Sequence, residues 1–227
     1  MPDMRFRSAV LDDLDALVAL EEAVERSLPH RDMFAIDGRD FYVPIVAGAG
    51  HILLAEDSAG GLVGVSVIRF PAEDDHEHLG YELRFSPEQL ARVRHLESVF
   101  VHPDCQGRKL AQRLIRENMR RTEHSGRTIS CATVWPHNIP SLRLHLELGL
   151  CIRAFALKYG GKPRFVLCSE GGGTTSSPPV FVPSQDVDSQ KALLAQGYAG
   201  TALRRTARPA PSGPGRRPRR YPEWDAR

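Results

Sequence analysis

Residues 102 to 115, His-Pro-Asp-Cys-Gln-Gly-Arg-Lys-Leu-Ala-Gln-Arg-Leu-Ile, begin as a rigid turn and end as an amphipathic helix. Pro103 fixes the chain, Gly107 allows an unusual turn, and Leu110, Ala111, Leu114 and Ile115 give the helix an apolar side. The first turn of any helix leaves backbone N–H groups without partners at the positive end of its dipole. An anion placed there is held by main-chain donors, which favours small residues over particular side chains. Arg108 and Lys109 add positive charge beside it. Two readings stand: a docking point for a phosphate-bearing molecule, or a tight strand-to-helix turn with a structural role only.

Other residues could do chemistry as well. His95 and Glu97 are two apart in an apolar run, so on a strand they face the same side. The stretch Asp74-Asp75-His76-Glu77-His78 mixes carboxylates and imidazoles as a metal site would. Consecutive loop positions rarely point inward together, so a solvated loop without metal is expected there; if it borders an acceptor site, its acidity suits a cationic amine. Cys105, Cys131, Cys151 and Cys168 lie far apart with no CxxC spacing. They suggest neither a zinc site nor a disulfide framework, but buried fillers in a reduced, cytoplasmic setting.

These residues must be positioned by alternating elements. A short strand in residues 4–10 precedes a helix on which Leu14, Leu17, Val18, Glu21 and Val24 recur at spacings of three and four. Residues 32–50 are ambiguous and fit a second helix ended by Gly48 and Gly50. Two strands, 51–57 and 61–70, are joined by Ser58-Ala59-Gly60-Gly61, a hairpin signal. A long polar excursion, 71–94, leads to the strand carrying His95 and Glu97. Then come the helix at 108–121, a strand at 128–136 and a segment from Asn138 to Leu150. In that segment Leu142, Leu144, Leu146 and Leu148 alternate like a strand. Asn138 as cap, Pro140 in the first turn and Gly149 as stop argue for a helix instead. A last hairpin turns at Gly160-Gly161, and a short capped helix follows, with Asp186 or Asp188 at its start and Gly197 as its stop. Strands alternating with helices, with hairpins between, predict a mixed α/β fold: a mostly antiparallel sheet covered by helices.

The chain has 227 residues, 41% of them hydrophobic, enough to fill a real core. No apolar run approaches membrane-spanning length, and the first residues lack the design of a signal peptide. The net charge of +2 hides an asymmetry: from Thr201 onward eight arginines face only Glu223 and Asp225, so the body is mildly acidic. The layout expected is a domain over 1–170, a linker with a helix packed on it over 171–205, and a disordered basic tail over 206–227. That tail is too poor in apolar groups to offset the entropy of ordering it. Nucleic acid could be attracted to it, but a solvated extension is the preferred reading.

The stretch Leu96 to Ile115 resembles the acetyl-CoA-binding motif of the GCN5-related N-acetyltransferases, Gln/Arg-x-x-Gly-x-Gly/Ala after a strand ending in Val-x-Pro. The stretch Asn138 to Leu150 resembles that family's second signature, Asn-x-x-Ser/Ala-x-x-Leu-Tyr-x-x-x-Gly-Phe. The resemblance covers about residues 4 to 168. It implies acetyl-CoA as co-substrate, with the pyrophosphate on the amides of Gln106, Gly107, Arg108, Lys109, Leu110 and Ala111. Pantetheine would run beside Val99, Phe100 and Val101, and Asn138 and Ser141 belong to the cofactor side of the second signature. Lys109 stands where the pattern has its first glycine, and His145 where a tyrosine is frequent.

The implied reaction is direct attack of a primary amine on the thioester, within a ternary complex. An ammonium must first lose a proton, and the departing thiolate is helped by an acid. In arylalkylamine acetyltransferases the strand positions matching His95 and Glu97 carry histidines that remove this proton. Glu97 is therefore the first candidate base, His95 a relay and His145 a candidate acid. Histidine also occurs at the last place in the phosphinothricin-type branch. Two other classes stand beside this reading: an acyl-CoA-binding module without turnover, and a nucleic-acid-associated protein acting through the arginine tail. The acceptor, small molecule or peptide, stays open, as does assembly into a homodimer.

Overall fold

Strand 62–69, Leu-Val-Gly-Val-Ser-Val-Ile-Arg, is buried along nearly its whole length, and this continuous apolar run makes it the centre around which the first part of the chain is built. The computed structural model describes residues 4–30, 33–170, 179–206 and 221–226. They divide into two units, one up to Ala132 and one from Thr133 onward.

In the first unit, β1 (Arg5–Ser8) leads through a short 3-10 turn into α1 (Leu14–Ser27). α2 (Arg39–Pro44) continues as a wider turn over Ile45–Ala49. β2 (Gly50–Glu56) and β3 (Leu62–Arg69) form the expected hairpin. The excursion that follows holds two single-turn helices, α3 (Leu79–Glu82) and α4 (Pro87–Leu90), the second capped by Ser86. β4 (Val93–Val101), α5 (Leu110–Arg121) and β5 (Ile129–Val134) complete the unit's elements. β1 to β4 are antiparallel neighbours in sequence order, and β5 joins β4 in parallel. The expectation of a mixed, mostly antiparallel sheet covered by helices is met.

Two cores lie on the two faces of this sheet. On one, Leu14, Leu17, Leu20 and Val24 of α1, with Tyr42 and Ile45, pack on Ile52, Leu54, Val65, Val67 and Phe100. On the other, Leu110 and Leu114 of α5 pack on Leu53, Ala55, Val63 and Val101. The helix comes close because Gly64 has no side chain: a Cβ there would lie 2.8 Å from Leu114 Cδ1. A polar bolt fixes the same helix. Asn118, fully buried, donates from Nδ2 to the Ser66 carbonyl (2.7 Å) and accepts at Oδ1 from His51 Nδ1 (2.7 Å).

The second unit contains α6 (Ile139–Glu147), β6 (Cys151–Lys158), β7 (Lys162–Cys168), β8 (Val180–Pro183), α7 (Val187–Ala195), β9 (Gly200–Thr206) and β10 (Tyr221–Ala226). α6 is a helix despite its alternating leucines, with Asn138 and Pro140 at its start as expected. β6 and β7 form the hairpin. α7 begins at the Asp186 cap and is followed by Gly197. β8 and β9 were not anticipated.

Residues 221–226, expected in a disordered tail, form β10, which pairs with both β8 and β9. Backbone hydrogen bonds to two neighbours order a segment whose composition alone argues against order. The remaining linker and tail expectations, over 171–178 and 207–220, lie outside the described residues. All four cysteines are free, and only Cys131 and Cys168 are the buried fillers expected; Cys105 and Cys151 are partly exposed.

Asn118→Leu strands the Ser66 carbonyl in an apolar setting and is expected to cost about 2 kcal/mol in urea unfolding. A loss below experimental error would show that Asn118 is not the bolt of α5.

Candidate active site

β4 leaves its regular register where the titratable residues sit. Against β3, Ser98 faces Val67 while Leu96 faces Ile68, so Glu97 is the extra residue of a β-bulge. Against β5 the ladder covers only Val93, Arg94 and His95. From Leu96 onward that edge of β4 does not pair with β5. The backbone N–H and C=O groups of this stretch that do not face β3 are therefore the kind that an extended ligand can pair with.

Arg69, the last residue of β3, gathers the groups around the bulge. Its Nε donates to Glu97 Oε1 at 2.5 Å, its Nη1 pairs with Asp75, and its Nη2 lies 3.0 Å from His95 Nδ1. His95 is buried, and its Nε2 accepts the Leu79 N–H at 3.1 Å. His95 Nδ1 also lies 3.2 Å from Glu97 Oε1. His95 and Glu97 thus share a side, as their spacing predicts. Burial pushes the Glu97 carboxyl up, but the His95 hydrogen bond and the Arg69 charge outweigh it and hold the group below its ordinary range.

This changes what the pair can do. A carboxylate held low is an anion with little affinity for a proton, and Glu97 Oε1 already accepts two hydrogen bonds. His95 has its Nε2 lone pair committed to Leu79. Arg69 holds Glu97 as an anion and a backbone amide binds His95 Nε2, and both contacts weigh against the roles of base and relay.

The acidic stretch also differs from expectation. Asp75 and His78 turn inward and Glu77 is half-buried, while Asp74 and His76 are exposed. Asp75 is drawn in by Arg69, which overcomes the burial that would raise its pKa. His78 is buried against the edge of the His95 ring, and its Nδ1 caps α3 by accepting the Gly80 N–H. Among the described residues no group of three or more His, Cys, Asp or Glu could hold a metal ion.

A carboxylate that the sequence reading missed stands on the far side of the bulge. Asp37, in the loop before α2, accepts from the Ser98 hydroxyl at Oδ2 (2.6 Å). Glu21 holds this loop: it is fully buried and accepts the Asp37 N–H (2.9 Å), the Gly38 N–H (3.2 Å) and the Tyr42 hydroxyl. Burial pushes Asp37 up to about 6; Ser98 opposes this, and the charges of Glu21 and Glu97 add to it. A signal existed, since Glu21 is a carboxylate at a core position of the α1 stripe. A buried acid needs partners, and these lie in the next loop.

After β4 the chain turns through Pro103–Cys105. The Gln106 side chain folds back, its Nε2 donating to the Val101 carbonyl at 3.1 Å. Gly107 has φ 76° and Lys109 φ 58°, both left-handed, and α5 starts at Leu110 with no side chain capping it. Arg108 and Lys109 are exposed. The place where the motif asks for glycine is thus one that requires a positive φ, and Lys109 adopts it with its side chain in solvent. The turn offers its main-chain donors to an anion.

In the second unit, Asn138 Oδ1 accepts the Ser141 N–H (3.2 Å) and so caps α6. His145 Nδ1 donates to the Ser141 carbonyl at 2.8 Å. Burial lowers its pKa and so favours the neutral ring. The Nδ1 bond to its own helix and the lowered pKa both weigh against the expected role of acid.

The profile of the acetyltransferase (GNAT) family matches residues 20–150, and the chain belongs to that family. A search of curated protein sequences gave no match. Among solved structures the chain is similar to yncA of Salmonella typhimurium with its cofactor acetyl-CoA, at 19% identity and TM-score 0.53, covering 78% of this chain and 99% of that one. It is similar to the PaiA N-acetyltransferase of Thermoplasma acidophilum in complex with coenzyme A, at 11% identity and TM-score 0.52, covering 74% and 99%. It is also similar to Naa20 of Chaetomium thermophilum in complex with a bisubstrate analogue, at 16% identity and TM-score 0.56, covering 72% and 85%. At these identities the likeness is one of fold, and the fold is that of the GNAT acyltransferases.

Two stability measurements follow from the site. Lys109→Gly relieves the left-handed strain and is expected to hold or raise stability by up to about 1 kcal/mol, whereas Lys109→Val should lose about 1 kcal/mol or more. The reverse order would mean that this turn is not left-handed in solution. Asp37 has a folded value above its ordinary 3.8, so its contribution to stability is full below 3.8 and is lost as pH rises through about 6. The melting temperature of Asp37→Asn relative to wild type should climb between about pH 4 and pH 6; a difference flat with pH contradicts the raised carboxyl.

Proposed function

We propose that this protein is an acetyl-CoA-dependent N-acetyltransferase that acts on a primary amine by direct attack in a ternary complex. The observation that carries the reading is the turn from β4 to α5. A left-handed Gly107 and Lys109 lead into a helix with no side-chain cap, directly after a strand edge that β5 leaves unpaired from Leu96 onward. Main-chain N–H groups from Gly107 to Ala111, with Arg108 and Lys109, fit a pyrophosphate. The edge at Val99 to Val101 fits the amide-bearing pantetheine arm. Bound there, acetyl-CoA supplies an activated acyl group.

The remaining roles belong to the chain's own residues. Glu97, fixed by Arg69 and His95, acts as an anion that attracts and orients the acceptor's ammonium, not as the group that deprotonates it. His145, Asn138 and Ser141 order the start of α6. The acidic surroundings of the bulge favour a cationic amine, small molecule or peptide. Among the described residues no helix is long and apolar enough to cross a membrane. A cytoplasmic location and a homodimer belong to this proposal as expectations.

Thiol release from acetyl-CoA, followed with a panel of primary amines, tests the reading: amine-dependent release is expected. Tight acetyl-CoA binding with no release for any amine would instead favour the binding module. Salt-sensitive DNA binding lost on truncation after Thr206 would favour the nucleic-acid reading. Gly107→Val is expected to weaken CoA binding at least tenfold, about 1.4 kcal/mol, since a branched side chain resists the positive φ the turn needs. Unchanged affinity by calorimetry in the folded variant would remove the helix start from the site.

A further inference from the structure

The groups expected to take the acceptor's proton are tied to Arg69 and to the Leu79 amide, yet a neutral amine must be made before it can attack. Asp37 is half-buried like Glu97, but it differs in its partner: its carboxylate is bonded by the neutral Ser98 hydroxyl and not by a cation. Its position is nonetheless fixed. Glu21 grips the backbone N–H groups of Asp37 and Gly38, and the Ser98 hydroxyl grips Oδ2. Ser98 is the residue after the bulged Glu97, so this bond places the carboxylate against β4 at the point where the strand departs from its ladder.

We propose that Asp37 is the proton acceptor of the transfer reaction, positioned by Ser98 and Glu21, and that the acceptor is an amine protonated at neutral pH. This rests on the N-acetyltransferase reading and extends it to the base and the substrate class. The ammonium gives one proton to Asp37, and its nitrogen lone pair is freed. A C–N bond forms to the acetyl carbon as the C–S bond breaks. The second proton lost by nitrogen leaves with the sulfur, as the CoA thiol. Asp37 returns its proton to water, so the net products are amide, thiol and one released proton.

The surroundings set the pH at which this works. From α1 comes the buried carboxylate of Glu21, and from α2 the Tyr42 hydroxyl, which donates to Glu21 and also lies against Asp37. Arg39, the next cation along the chain, is paired with Asp15 at 2.5 Å. From β4 come Ser98 and the anionic Glu97, and from β3 Arg69, whose charge is shared between Glu97 and Asp75. Burial and the two neighbouring anions raise the carboxyl to about 6, close enough to neutrality for a base that is ionised yet still binds a proton. Activity is therefore lost as pH falls through about 6, when Asp37 is already protonated.

The test uses the full chain, acetyl-CoA and the amine of the panel that wild type acetylates best. Asp37→Asn should lower kcat/KM by ~100-fold at neutral pH and recover as pH rises and free amine arrives without help. The acetyl-CoA dissociation constant should not change, and Asp37→Glu should restore part of the rate. Ser98→Ala removes a hydrogen bond that favours the ionised form, so it should move the acidic limb of kcat/KM to higher pH. A purely structural role would leave that limb in place. Equal pH profiles for Asp37→Asn and wild type would overturn the assignment while leaving the N-acetyltransferase reading intact. A wild type that acetylates no amine would overturn both. Independently of any acceptor, the carbon-13 carboxyl resonance of Asp37 should titrate near 6, and a midpoint in the ordinary carboxylate range would overturn the proposal.

Discussion

The bulge in β4 depends on one cation. Adding a residue to a central strand puts Glu97 and His95 at an irregularity in the sheet, and Asp75 turns in from the neighbouring loop. Without Arg69 two carboxylates would meet there with no positive charge between them. With it, Glu97 and Asp75 are both held as anions, and His95 is fixed in one orientation by Glu97 on one nitrogen and the Leu79 amide on the other. The 71–92 excursion, polar and irregular in sequence, is pinned to the sheet through these contacts. Ion pairs of this kind contribute little net stability when both partners are present, but removing one partner is costly. Arg69 therefore matters more for where things are than for how stable they are.

That arrangement gives two neighbouring carboxylates different properties. A carboxylate beside a guanidinium stays charged and in place, which suits attraction of a cation and spoils proton abstraction. Asp37 lies beyond the reach of such compensation and keeps its proton affinity. The same local geometry therefore yields a low carboxyl and a raised one, on either side of Ser98. Divergent environments for neighbouring acids are a recurrent way of dividing roles at a reacting centre.

The turn after β4 follows a different logic, because in the proposed function its backbone is what binds. Lys109 adopts a left-handed conformation that glycine would adopt without strain, and the helix behind it is held by Gly64, Leu114 and Asn118. A ligand site made of amides is only as rigid as the helix that presents them. The buried contacts of α5 with β2 and β3 are thus part of the site, although none of those residues carries chemistry.

The sequence by itself determined the elements and their order. Leu14, Leu17 and Val24 specify a helix; Val65 and Val67 specify a strand; the stretch from Pro103 to Ala111 marks the turn into α5. These are local periodicities and local backbone preferences, and both are written in neighbouring residues. It also brought His95 and Glu97 to one side, because strand geometry alternates with period two. Only the tertiary structure decided which groups titrate. Arg69 is 28 positions from Glu97, Asp37 is 61 from Ser98 and Glu21 is 16 from the Asp37 amide it binds, so no local pattern links them. The order of Tyr221–Ala226 likewise comes from two distant partner strands. Proton affinity and strand pairing are set by what surrounds a group in space, and the surroundings exist only once the chain has folded.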